Sequence, residues 1–252
     1  MEVDLVDIII PAHNPGSYII EAIESCLTQS YKKIKITVID DCSSQDLNFL
    51  KIRYPQILIL RTPKNLGPGG ARNFGMKQTN GEFISFLDSD DIMDKDKIFY
   101  SIKELKKDKS IGMVCGNYKI FVNRSKLRPA FYKKAPVINW KSLMEKNWVA
   151  SGSVTIRRKV FEEIGGFSEK YWICEDYDYW LRISEQYGIK YISHVLYFYS
   201  VCPGNNSLTQ RTDIQAKHLD NIKIIKKESE KRMKERHESR FAAQCTDQNL
   251  CS

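Results

Sequence analysis

Two rhythms of apolar residues run along the chain. Segments 7–10, 34–39, 57–60 and 82–87 are short, near-continuous apolar runs rich in isoleucine and valine, the pattern of strands buried on both faces. Between them the spacing turns helical. Ser17 is placed to cap a helix whose Ile19, Ile23, Cys26 and Leu27 share one face, and helices are predicted over 70–78 and 95–107. This alternation predicts the α/β class, with a mostly parallel central sheet flanked by helices. The second half is less regular. Strands are expected at 113–118 and 153–156, and Pro11 is expected to stop the first strand. A short helix at 160–164 stops at Gly165, a helix over 177–187 opens within the acidic segment 175–178, and 191–201 is β-like. A charged helix over 213–240 and a disordered tail at 241–252 complete the reading. Residues 1–212 are expected to form one domain, with a first half at 1–112 and a second half at 113–212.

In open α/β sheets, ligands bind beyond the carboxyl ends of the strands. That rule selects three polar departures: Pro11-Ala12-His13-Asn14, Asp40-Asp41, and Asp88-Ser89-Asp90-Asp91. All three follow apolar strands and should share one edge of the sheet.

Composition narrows the setting. At 252 residues, 42% hydrophobic and 28% charged, the chain is that of an ordinary soluble protein, with no run near the ~18 apolar residues of a membrane span. The acidic start lacks a signal-peptide pattern, which gives a cytoplasmic expectation. Seven scattered cysteines without a C-x-x-C pair argue for reduced thiols rather than a disulfide or zinc framework. Two glycosylation sequons, at Asn123 and Asn205, carry no weight in that setting. Half of the net charge of +8 lies in 217–240, where nine Lys or Arg face five Asp or Glu. Interleaved Glu228, Glu230, Glu235 and Glu238 favour a solvated, salt-bridged helix. Peripheral association with an anionic inner leaflet is the second reading, and nucleic acid is not an expected partner.

Taken singly, each acidic or glycine-rich segment has two readings. Asp88 and Asp90, two apart at a strand end, can offer oxygens to Mg²⁺ or Mn²⁺, or can build a turn that caps a helix. Asp40-Asp41 can bind a nucleobase or ribose, or turn the chain. The run from Asn65 to Asn73 brings glycines and Arg72 to a helix start, where backbone N–H groups can meet phosphate, or it is a loop before an ordinary helix. It does not fit a dinucleotide fingerprint, because the third glycine of that pattern falls on Arg72. Glu175 and Asp176 open a helix whose inner face carries Trp180, Leu181 and Arg182; an acid here is either a general base or a complement to the helix dipole.

Together and in order, Pro-Ala-His-Asn, Val-Ile-Asp-Asp-Cys-Ser-Ser-Gln-Asp, Asn-Leu-Gly-Pro-Gly-Gly-Ala-Arg-Asn-Phe-Gly, Phe-Leu-Asp-Ser-Asp-Asp and Glu-Asp-Tyr-Asp-Tyr-Trp-Leu-Arg resemble glycosyltransferase family two, the inverting group with the GT-A fold. The resemblance spans roughly residues 5–210. It implies transfer of a sugar from a nucleotide-diphosphate sugar, with UDP the first expectation, to a hydroxyl of a glycan or lipid-linked acceptor, with Mn²⁺ or Mg²⁺ as cofactor. By residue, it implies donor contacts from Pro11, Ala12, Asn14, Asp40, Asp41, Gly70, Arg72, Asn73, Asp88 and Ser89. It further implies a metal ligand at Asp90, a catalytic base at Asp176, and acceptor-side residues at Glu175 and Trp180. The chain departs from the family at Tyr199-Ser200-Val201-Cys202-Pro203, where relatives carry Arg and a His near the metal; Cys202 suits a hard cation poorly. A nucleotidyltransferase would need a glycine-rich loop after strand one, and Pro11–Pro15 supplies none. The remaining alternative is a non-catalytic sugar-binding protein on the same fold.

Overall fold

The computed structural model describes residues 1–122, 126–128, 137–201 and 212–248. The sequons at Asn123 and Asn205, and Cys202, lie outside the described residues. The elements follow in order: β1 (Glu2–Ala12), α1 (Tyr18–Leu27), β2 (Ile34–Asp40), α2 (Phe49–Arg53), β3 (Leu58–Arg61), α3 (Gly67–Lys77), β4 (Gly81–Phe86), β5 (Ile92–Met93), α4 (Lys97–Lys107), β6 (Ile111–Val122) and β7 (Lys126–Arg128). There follow α5 (Trp140–Glu145), a 3₁₀ turn (Ser151–Ser153), β8 (Thr155–Arg157), α6 (Arg158–Ile164), α7 (Glu175–Ser184), β9 (Gly188–Val201) and α8 (Thr212–Gln248). The contacts divide the chain into two compact units, Met1–Asn206 and Ser207–Ser252, with the division six residues before the boundary expected from sequence. α8 runs to Gln248, through positions expected in a disordered tail.

The sheet order is β3-β2-β1-β4-β8-β6-β9-β5, with β7 on β6. The first four strands are parallel; β8 then pairs antiparallel with both β4 and β6, and β9 runs parallel to β6. The continuous apolar run of β1 follows from burial on both faces. Val6, Ile8, Ile10 and Ala12 join a core with Ile19, Ile23 and Cys26 of α1 and Ile98, Ile102 and Leu105 of α4. Ile9 faces the other way, under α3. A Cβ added to Gly75 would stand 2.8 Å from Ile9 and 3.1 Å from Ile39, so this glycine lets α3 lie close on the sheet.

Pro11 does not stop β1, which continues to Ala12 in register with Asp40. The carbonyls of Ile9 and Ala12 accept from Leu87 N and Asp41 N respectively. By strand alternation the Pro11 nitrogen therefore faces β4, where pairing has ended at Phe86, and its missing N–H breaks no rung of the described ladder. Ser17 occupies the N-cap of α1 but makes no capping bond, because its backbone is already helical (φ −80°, ψ −15°) rather than extended. α3 begins at Gly67, three residues earlier than expected, with Pro68 in its first turn, a position that needs no N–H donor. Gly165 stops α6 with φ +82°, as its position after the apolar run predicts.

At the start of β4 a buried ion pair ties the sheet to α6. Arg158 Nη2 donates to Asp7 Oδ2 (2.8 Å) and Thr79 Oγ1 (3.0 Å), its Nη1 to Met76 O (3.0 Å), and its Nε to Gly81 O (2.5 Å). Gly81 N donates to the same Asp7 oxygen.

Candidate active site

β1, β2 and β4 end side by side, so the three polar departures selected from sequence do share one edge. Their side chains divide into those that build the edge and those that face the opening. Asn14 is a builder. At φ +49° its Oδ1 accepts from Ser44 N, Ser44 Oγ and Gln45 N, so it fixes the loop after β2. Asp40 and Asp41 are both buried. Asp41 Oδ1 accepts from Thr62 Oγ1 and Leu66 N, joining the end of β2 to the approach to α3. Asp40 accepts from Ser43 N and pairs with Arg61 at 2.5 Å, and the pair lines a cleft with Asp46, Asn48 and Lys51.

The acidic turn after β4 is closed by a bond from Asp91 N to Asp88 O. Asp91 is 1% exposed and accepts from Ser200 N, which anchors the turn to β9. Ser89 and Asp90 stand between, partly buried.

Arg72 is the hub. It is 3% exposed, and its Nη2 donates to Asp88 Oδ1 (2.6 Å) while its Nη1 donates to Glu175 Oε1 (3.1 Å). Two acids more than eighty residues apart in the chain thus meet on one guanidinium. Burial works against its charge, but Asp88, Glu175 and Asp176 outweigh burial and hold its pKa above the ordinary value. Its Nε is buried with no hydrogen-bond partner. The Phe167 ring lies beneath the guanidinium, 5.3 Å from centroid to Cζ.

Glu175 and Asp176 form the first turn of α7, entered through Cys174 in the left-handed region at φ +66°. The helix dipole favours their charged forms, yet burial prevails. Burial, then the neighbouring Asp176 charge, pushes Glu175 up to about 7 against the pull of Arg72. Burial likewise raises Asp176, again opposed by Arg72. Asp176 Oδ1 accepts from Tyr177 N (2.6 Å) and Oδ2 from Ser151 Oγ (3.2 Å).

Two expected contact residues face elsewhere. Asn73 is buried, and both ends of its amide are used on Phe167: Nδ2 donates to Phe167 O, and Oδ1 accepts from Phe167 N, each at 2.8 Å. It brackets the segment that carries the ring under Arg72. Trp180 is fully buried against Phe167 and Tyr179, a core residue rather than an acceptor platform, because the inner face of α7 packs on the sheet side. Gly70 packs on Leu66, while Gly69 is the glycine that meets Glu175: a Cβ there would stand 2.7 Å from Glu175 Cγ. Gly69, Ser151 and Phe167 were not singled out from sequence. Only the glycine run offered a signal, and it did not say which glycine touches Glu175.

Among the described residues no group of three His, Cys, Asp or Glu could by itself hold a metal ion, and no helix is long and apolar enough to cross a membrane.

A parallel sheet edge that gathers an acidic strand-end turn, a glycine-led helix start and an acid pair on a later helix has the architecture of GT-A glycosyltransferases. S. aureus TarS 1–349 in complex with UDP-GlcNAc shares it with a TM-score of 0.67 at 22% identity, over 80% of this chain and 60% of that one. The mannosyltransferase PcManGT from Pyrobaculum calidifontis, in complex with GDP-Man and Mn²⁺, does so with 0.63 at 19%, over 81% and 59%. The family described as glycosyl transferase family 2 matches residues 7–165, and the chain belongs to that family. It is 32% identical to an uncharacterized glycosyltransferase of Rickettsia typhi over 73% of this chain and 60% of the relative. It is also 32% identical to the Escherichia coli UDP-Glc:alpha-D-GlcNAc-diphosphoundecaprenol beta-1,3-glucosyltransferase WfaP, over 74% and 72%. Chondroitin synthase of E. coli is 29% identical over 84% of this chain but only 31% of its own length. The chain thus spans between about a third and two thirds of most of these relatives.

Proposed function

We propose that this chain catalyses inverting, metal-dependent transfer of a sugar from a nucleotide-diphosphate sugar, UDP-linked in the first instance, to a hydroxyl of a glycan or lipid-linked acceptor. The observation that carries the reading is the Arg72 hub, which brings the acid after β4 and the acid pair of α7 to one guanidinium. Donor and acceptor chemistry need those two groups on opposite sides of one sugar.

In the reaction, the acceptor oxygen attacks the anomeric carbon as the bond to the diphosphate oxygen breaks. Asp176 takes the acceptor proton; its raised pKa makes it a stronger base than an ordinary carboxylate. Ser151 and Tyr177 N hold that carboxylate in one orientation. The transition state is oxocarbenium-like. Arg72 keeps Asp88 and Glu175 in place and supplies a fixed positive charge between donor and base sides. The hard oxygens of Asp90, with Asp88 beside it, suit Mg²⁺ or Mn²⁺, and with no three-ligand cluster among the described residues an ion here would draw the rest of its ligands from phosphate and water. Such an ion, when bound, offsets charge gathering on the departing nucleoside diphosphate. The relatives' names support the acceptor class: WfaP acts on a diphosphoundecaprenol-linked sugar. The Lys- and Arg-rich stretch 217–240 is the part that would meet an anionic membrane surface.

The test is release of nucleoside diphosphate from UDP-glucose, UDP-N-acetylglucosamine and GDP-mannose, with Mn²⁺ and with a chelator. One donor should turn over, and only with metal. Asp176→Asn should bind that donor normally by calorimetry and turn it over about 100- to 10,000-fold more slowly. Near-normal turnover in Asp176→Asn would remove it from the base role, and turnover of none of the three donors would overturn the reading.

A further inference from the structure

Lys97 is the least expected charge in the molecule. It is 0% exposed, and as the first residue of α4 its ammonium stands at the positive end of the helix, where a cation is unfavourable. Its neighbours on the same face, Ile98, Ile102 and Leu105, belong to the apolar core. Burial and the helix end both oppose the charge, so neither accounts for a lysine here.

Its partners do. Lys97 Nζ donates to Phe86 O at 2.8 Å and to Gly152 O at 2.7 Å. Phe86 is the last residue of β4, two before Asp88. Gly152 follows Ser151, whose hydroxyl donates to Asp176 Oδ2. The Ser151–Ser153 turn lies just before the β8 ladder, which begins at Thr155; Phe86 N donates to Val154 O immediately after the turn, and the Lys97 bond reaches into the turn itself at Gly152. Burial lowers the Lys97 pKa to about 7, opposed by Cys26, Asp88 and Asp91, and either protonation state retains N–H donors for both carbonyls.

We propose that Lys97 is a positioning residue for the transfer reaction: by bridging the Phe86 and Gly152 carbonyls it fixes Ser151, and through Ser151 the Asp176 carboxylate, against the Asp88–Asp91 turn. The inference rests on the reading of Asp176 as the base.

The test is a double-mutant cycle on metal-dependent turnover of the best of the three nucleotide sugars, with folding checked by circular dichroism. Lys97→Met and Ser151→Ala should each lower kcat about tenfold or more and move the donor KM by less than about threefold. The double variant should be no more than about twofold below Lys97→Met alone, since both act on one link. Costs that multiply, a KM effect in place of a kcat effect, or parental kcat in Lys97→Met overturn the proposal. If Lys97→Met does not fold, Lys97→Gln is carried through the same cycle, and failure of both to fold overturns the proposal in favour of a purely structural lysine. Asp176→Asn in the same assay separates the two ideas. If it retains turnover, the base reading fails and takes the inference with it. If it loses turnover while the cycle is additive, the inference alone fails.

Discussion

Two buried arginines sit at opposite ends of β4 and are used in opposite ways. Arg158, at the start of the strand, spreads four donated bonds over one carboxylate, one hydroxyl and two backbone carbonyls, and its acid Asp7 is wholly buried. Arg72, at the other end, spends its bonds on two carboxylates from distant segments, leaves Nε unbonded, and has a third acid close by. The Asp88 side chain it holds is 35% exposed, whereas the Asp7 side chain is 0% exposed. Arg158 divides its bonds between two backbone carbonyls, a hydroxyl and one wholly buried acid at the end of β4 away from the opening, and there it holds structure. A cation shared among acids at an opening is poised to respond when a ligand changes the charge around it. Burial is common to both, so it is the identity of the partners that separates a lock from a site.

The contrast is sharpest in Arg158→Met, which leaves the Asp7 carboxylate buried without its partner. It should cost about 3–5 kcal/mol in urea unfolding and leave kcat of the folded fraction within about twofold. Arg72→Lys should do the reverse. It keeps a charge but loses the fork that reaches both Asp88 and Glu175, so turnover should fall about tenfold or more while unfolding changes by about 1 kcal/mol or less. A large stability loss with normal kcat in Arg72→Lys would make both arginines locks.

A third effect is read in pH. The Glu175 pKa is raised by burial from 4.5 to about 7, so between those values the folded chain holds a proton that the unfolded chain has released. Its contribution to stability is present below pH 4.5 and is lost as pH rises through about 7. Glu175→Gln removes that loss. Between pH 5 and 8 the variant should gain on the parent by on the order of 2 kcal/mol in denaturant midpoints converted to free energy. A gap that does not change with pH would mean that Arg72 holds Glu175 as an ordinary carboxylate.

How much of this was legible beforehand depends on what each side chain answers to. The ends of β1, β2 and β4 were readable because an apolar run that turns polar marks both a strand and its exit. Asp88, Arg72 and Asp176 stand out in the sequence because their order along the chain follows a known family; the structure adds that Asp88 and Glu175 meet on Arg72. For Asn73 and Trp180 the motif gives position along the chain but not the direction of the side chain, and packing turns both inward onto Phe167. The start of α3 was missed because glycines ordinarily argue against helix, and only the tertiary contacts of Gly69 and Gly75 show why they are there. Lys97 passed as one more charge on a charged helix. Its spacing to Ser101 and Leu105 places it on the buried face, a clue visible in sequence but masked by residue type.

Gly69 has no functional group, yet its bare Cα is what allows the Glu175 side chain to come in beside α3. In a scan of every position for loss of function it should score with the acids themselves. Alanine there adds one carbon to a helix it would otherwise favour and subtracts an alignment made 106 residues away. Tolerance maps of this protein will therefore mark a position whose intolerance is entirely about room.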